Sequence, residues 1–219
     1  MRHAPTKAVY RYWNELVRVE GDRPRYPVRA QIEPAALKRQ LGDVFVLHRP
    51  DGSVRYRIAG TRVCAIHGRE LTGLPFLQAF DGADRTATRS WVSTFGAEAV
   101  PLLFATNGFN ARGDRVALET LILPLANSSE GEGDPRRALG VCAPDPAVAW
   151  IGMEPVVRQE VTGVRVLRPW LDPLPRGDVP LVRPAPPRTV AAHADRRSAP
   201  VPAGRKVAHL IVLEGGASG

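Results

Sequence analysis

Residues 56–73, YRIAGTRVCAIHGRELTG, limit the fold more than any other stretch of the chain. Val54, Tyr56 and Ile58 alternate with Arg55 and Arg57, the period of a half-buried strand. That strand runs into Gly60. Thr61 has the chemistry of a helix N-cap, because its hydroxyl can accept from a free N–H of the first turn. Residues 62–67 then give one or two helical turns, Gly68 suits a left-handed stop, and Gly73 suits a second tight turn. Arg69 and Glu70 place opposite charges at the crossing. A strand therefore ends here, a short helix crosses over, and the backbone is held tightly on both sides.

Similar signals order the rest. Residues 6–19 carry Val9, Tyr12 or Trp13, Leu16 and Val19 at helical spacing. Residues 32–42 predict a second short helix, with Pro34 in its first turn, Gly42 at its stop, and an apolar edge of Ile32, Leu37 and Leu41. Residues 43–48 and 54–59 flank the turn Pro50-Asp51-Gly52-Ser53 and predict a hairpin. Residues 81–97 predict a third helix with Ala87, Trp91 and Phe95 as its buried stripe. Strands at 101–109, 115–125 and 137–143 have short connections, so an antiparallel meander follows. Residues 161–167 offer one more edge strand. From 169 to 202 prolines dominate and periodicity is lost, as in a linker. The domain limits expected are 1–42 for an N-terminal helical extension, 43–160 for the main domain, and 161–219 for a basic, Pro-rich tail.

A chain of 219 residues with 44% hydrophobic content can bury one core. Two cysteines, Cys64 and Cys142, make no disulfide framework and fit a reducing, cytoplasmic setting. No apolar run is long enough for a signal peptide or a membrane span, so no membrane partner is expected. The net charge of +8 admits acidic partners, yet arginine is scattered and aromatics are only 6%, which argues against nucleic acid.

The chain resembles PAS-domain proteins, in particular a subfamily found mainly in alphaproteobacteria. The residues that carry this are Tyr10-Arg11-Tyr12-Trp13, Ile32-Glu33-Pro34, and Leu41-Gly42-Asp43-Val44-Phe45. They continue with Arg57-Ile58-Ala59-Gly60-Thr61-Arg62-Val63-Cys64 and Gly68-Arg69-Glu70-Leu71-Thr72-Gly73, then residues 119–125, Leu139-Gly140 and Trp150-Ile151-Gly152. The resemblance covers roughly residues 5–160. It implies an α+β fold: a five-stranded antiparallel sheet with helices on one face, an N-terminal helical extension and a Pro-rich tail. It also implies a cytoplasmic sensory or regulatory module without catalysis, which binds a small ligand, signalling proteins, or both. The N-terminal helix is then a candidate homodimer contact. His67 departs from the pattern, since an aromatic residue usually stands there.

The expected pocket lies between the sheet and residues 61–97. Its candidate lining is Tyr56, Ile58, Cys64, Leu71, Trp91, Phe95, Phe104 and Leu121. Arg69 and Glu70 are either a polar anchor at its mouth or a structural pair. Glu119, the lone charge in a long apolar strand, faces either the pocket or the outer side. Cys64 and His67 share a helical face, but with only His48 in addition they fall short of a metal site. His67 is the one haem-ligand candidate, and no flavin-type cysteine motif is present, so no cofactor is named. P-loop, GxGxxG, GxSxG and HExxH motifs are missing. The alternative reading is an adaptor that grips nucleic acid or an acidic partner with the basic tail.

Overall fold

The computed structural model describes residues 1–20, 23–80, 82–93, 100–126 and 137–168, with the backbone of 206–207 and 210–211. Two compact units divide the chain, Met1–Pro186 and Pro187–Gly219. In the second, Lys206–Val207 pairs antiparallel with Leu210–Ile211, and the rest of the expected linker and apolar tail lies outside the described residues.

The first unit opens with α1 (Ala4–Leu16) and a two-stranded hairpin, β1 (Arg18–Glu20) and β2 (Arg23–Arg25). The main sheet consists of β3 (Val44–His48), β4 (Arg55–Ala59), β5 (Leu102–Phe109), β6 (Arg115–Leu125), β7 (Arg137–Pro144) and β8 (Arg158–Val166). Between β4 and β5 come α2 (Thr61–His67), a 3-10 turn Phe76–Ala79, and α3 (Gly82–Ser93). The sheet order is β4-β3-β7-β6-β5-β8, with every pairing antiparallel. The meander β5-β6-β7 forms as its short connections require, and β3 closes against β7.

Three expectations change. The sheet has six strands rather than five, because β8 pairs with β5 along its whole length and crosses residue 160. The outer edge of β8 is covered in turn, by a bridge from Phe80 to Gln159 and by Asp84, whose Oδ2 accepts the Val161 N–H at 3.0 Å. Residues 32–42 form no α-helix. Their bonds run i to i+3, as in Ala36 N–H to Glu33 O and Gln40 N–H to Leu37 O, so the segment forms a 3-10 turn at Pro34–Leu37, just after another at Arg29–Gln31. Ile32 and Leu37 are buried, whereas Leu41 is 45% exposed. Finally, helices lie on both faces of the sheet. α2 and α3 take one face, and α1 takes the other, packing over β6 and β7.

That second covering explains β6. Its sequence RVALETLILPL is apolar almost throughout because both of its faces are buried. Leu118 and Ile122 join the core under α2 and α3, while Leu121, Leu123 and Leu125 meet Val9, Tyr10 and Trp13 of α1. Trp13 is fully buried and its indole N–H donates to Pro124 O at 3.0 Å. Tyr12 reaches the neighbouring turn: its hydroxyl accepts the Glu33 N–H at 2.7 Å and donates to Gln31 O at 3.2 Å.

Candidate functional site

The strand-to-helix crossing at Gly60 is built on Gly42. The Gly42 carbonyl accepts the N–H groups of Arg62 (2.9 Å) and Val63 (3.1 Å), the free donors of the first turn of α2. This is why Gly60, not Thr61, is the N-cap residue and why the Thr61 hydroxyl is not needed as a cap. The two backbones approach so closely that a Cβ on Gly60 would lie 2.2 Å from Leu41 O and 2.5 Å from Gly42 O. Arg62 then folds back over Gly42 and grips Asp43 with both arms, Nε to Oδ1 and Nη2 to Oδ2, each at 2.6 Å. Asp43 is only 6% exposed, and its bonds to Arg62 hold the guanidinium above its ordinary pKa. Residues 43 and 62 are too far apart in sequence for local spacing to show this pair. Arg62→Met leaves a buried carboxylate without its counter-charge. A loss of about 1–2 kcal/mol in urea unfolding is the expected outcome, moderated by the half-exposed guanidinium.

The loop after α2 is organised by Glu70. Its Oε1 accepts from Leu71 N (3.1 Å), Thr72 N (3.0 Å) and Thr72 Oγ1 (2.7 Å), and Cys64 Sγ lies 3.7 Å from Oε2. The Thr72 bonds foremost, with that of Leu71, keep the carboxyl below its usual range. Arg69 is exposed and, among the described residues, makes no ion pair with Glu70.

Between the sheet and α2–α3, Tyr56, Leu71 and Phe104 come together in one buried cluster, with Cys64 and Trp91 half-buried at its margin. Rings fill the centre. Phe45 meets Tyr56 edge-on at 5.4 Å and Phe76 at 6.1 Å, and Phe76 continues to Phe80 at 6.2 Å. The stripe of α3 that faces this cluster is Ala87, Thr88 and Val92. Phe95 lies outside the described residues. Ile58 and Leu121 do not join. The β3–β4 register shifts between Val46 and Leu47, leaving Arg57 as an extra residue. This bulge turns Ile58 to the outer face, 52% exposed, whereas strict alternation would have left it beside Tyr56. Leu121 belongs to the α1 face.

Polar atoms also enter the cluster. His67, the last residue of α2, is buried and hydrogen-bonds the Val156 backbone. Burial lowers its pKa to about 4. Burial pushes the Cys142 thiol up to about 11 and raises Cys64 and Tyr56. Two buried groups have no hydrogen-bond partner among the described residues, Nε2 of Gln78 and Oγ1 of Thr88. Gln78 sits in the 76–79 turn, which packs on α3, the helix of Thr88. An unpaired buried polar atom costs about 1–3 kcal/mol, so such groups mark a place where something polar belongs. Composition alone could not single them out, since neither falls in a motif. Among the described residues no metal-ligand cluster of His, Cys, Asp or Glu forms.

A family model described as PAS domain matches residues 1–143. The chain belongs to the PAS domain family. No curated protein matches the chain. No solved structure matches it. The matched span begins before α1 and ends within β7, so β8 is an addition beyond it. Without β8, the PAS sheet would present β5 as a long open edge.

The outer face of this PAS domain holds Glu119. It is 8% exposed and turns away from the ring cluster toward the start of α1. Its carboxylate accepts the N–H groups of Arg2 (2.9 Å) and His3 (3.3 Å) and the hydroxyl of Thr6. A negative group at a helix N-terminus is favourable, and here it comes from the middle of the sheet rather than from the helix itself. Two clefts open near this end of the PAS domain. One, of about 710 Å³, is lined by Gly82, Asp84, Arg158 and Glu160. The other, of about 320 Å³, is lined by Arg2, His3, Arg115 and Glu119. Neither is lined by Phe45, Tyr56, Phe76 or Phe104. No described helix is long and apolar enough to cross a membrane.

Proposed function

We propose that this PAS domain is a cytoplasmic sensory or regulatory module of the alphaproteobacterial type, acting by binding rather than by catalysis. A small ligand is read at the face between the sheet and α3, beside Tyr56, Cys64, Leu71, Trp91 and Phe104, and the state is passed to a protein partner. The observation that carries this is that two buried groups, Gln78 Nε2 in the 76–79 turn and Thr88 Oγ1 in α3, have no hydrogen-bond partner among the described residues. A ligand with one acceptor and one further polar group would satisfy both.

A route outward is built in. Alternate residues of β6 face opposite ways, so Leu118 and Ile122 touch the ligand side while Glu119 and Leu121 hold α1. A shift of β6 is therefore felt by α1 across one strand. The ligand must bind one arrangement more tightly than the other for the population to move. A homodimer through α1 would use its outward residues Lys7, Arg11 and Glu15, since Val9, Tyr10 and Trp13 are spent on the sheet.

Native mass spectrometry of the protein purified from its own host tests this reading. Extra mass in the native spectrum is expected, absent from the denatured one, and lost in Thr88→Val with the fold intact. A bare chain mass in the native protein, with Thr88→Val more stable than wild type, would contradict a ligand at this face.

A further inference from the structure

We infer that the outer face of the sheet, at its β3–β4 hairpin end, docks an acidic segment of a partner protein. The inference rests on the binding-module reading above and names the kind of partner. Register places His48 directly opposite Arg55 on one side and Arg137 on the other. These three share one face, because Leu47, Tyr56 and Ala138, their chain neighbours, all turn into the ring cluster. The bulge in β4 keeps Arg57 beside them and brings Ile58 to the same side. His48 feels this crowding. Its pKa is lowered by burial first, then by Arg57, Arg137 and Arg55, with Asp51 opposing.

Uncharged His48 separates Arg55 and Arg137, which stand on its two flanking strands, and Arg55 also donates from Nη1 to Gly73 O at 3.1 Å. Arginine forks match carboxylates and phosphates in pairs. Two features favour a peptide over a membrane or a duplex. α1 packs on the same face over β6 and β7 and stands about 10 Å high, so a broad or stiff surface meets the helix before the row. Exposed Ile58 beside Arg57 also offers an apolar contact that suits an acidic segment carrying an aliphatic side chain. Among the described residues no exposed aromatic accompanies the row for base stacking, since Tyr56 is buried.

Fluorescence anisotropy with the full chain tests it, using a labelled peptide of alternating Glu and Leu. The controls are its Gln-for-Glu counterpart and a single-stranded oligonucleotide of equal charge. The expected result is binding of the Glu peptide that weakens with salt and falls at least tenfold in Arg57→Glu/Arg137→Glu. It should be unchanged in Arg89→Glu, on exposed α3 surface. Equal loss in both variants, or equal binding of the Gln peptide, overturns the assignment of this surface. Tighter, row-dependent binding of the oligonucleotide overturns the assignment to a protein. Either result leaves native mass spectrometry free to uphold or reject the ligand reading separately.

Discussion

Replacing Gly140 with alanine is expected to lower stability by about 3 kcal/mol, a large effect for one methyl group. Gly140 stands opposite Phe45 across β3 and β7, and the Phe45 ring lies flat over it. A Cβ there would come within 2.0 Å of Phe45 Cε2 and 2.2 Å of Cζ, which no rotation of a free side chain relieves. The ring cannot simply swing away, because Tyr56 and Phe76 hold its other side. Thermal melting reads the result as a fall in midpoint of roughly 6–12 °C. Phe45→Leu in the same chain should return part of the loss, since the two sites are in contact and do not add. A change below about 1 kcal/mol would mean that the ring does not cover Gly140.

The second large effect is with acid. His67 titrates near 6.5 when unfolded, but burial lowers it to about 4 in the folded chain. Above pH 6.5 it is neutral in both states and costs nothing. Between 6.5 and 4 the unfolded chain takes a proton that the folded chain refuses, so stability falls as pH falls. Below about 4 both states are protonated and the loss levels off. The size approaches about 3 kcal/mol, because each tenfold difference in proton affinity between the two states is worth about 1.36 kcal/mol. Carboxylates also titrate in this range, so the comparison that isolates His67 is His67→Phe. That variant should show a flatter stability profile between pH 6.5 and 4 by urea denaturation. Parallel profiles would mean that His67 is solvated. The resemblance expects an aromatic residue here, and burial among apolar neighbours explains why a ring of either kind fits.

Much of the fold was legible locally. The strands of the hairpin and the meander follow from alternation bounded by turn residues, and the left-handed stop at Gly68 is where its spacing placed it. What failed was what local pattern cannot hold. The extra residue at Arg57 leaves alternation intact on paper yet reverses Ile58. The segment after Ile32 has helix-forming residues, but its two apolar anchors are five apart, and tertiary burial of Ile32 and Leu37 overrides propensity. α1 was legible as a helix, but not its end at Leu16, beyond which Val19 lies exposed in β1 rather than on the helix's apolar stripe. Its seat on the outer face was not, although the unbroken apolar run of β6 was a signal that both faces are covered. Glu119 illustrates the same gap. Sequence left two orientations open, and only the docked start of α1 shows why a carboxylate is buried there. Of the residues expected to line a pocket, Tyr56, Leu71 and Phe104 meet in one buried cluster, whereas the buried Gln78 Nε2 and Thr88 Oγ1, without a partner among the described residues, are visible only in three dimensions.

On the proposed reading, a molecule held beside α3 is felt by α1 through β6. Hydrogen exchange of residues 4–16, in the protein as purified and after stripping by denaturation and refolding, is the measurement to make. Faster exchange is expected in α1 of the stripped protein, while the strands around Phe45 and Phe104 keep their protection. Glu119→Ala, which frees the helix start, should reproduce that faster exchange without any stripping. Identical α1 exchange in the two preparations, with the retained mass shown to be gone, would contradict it.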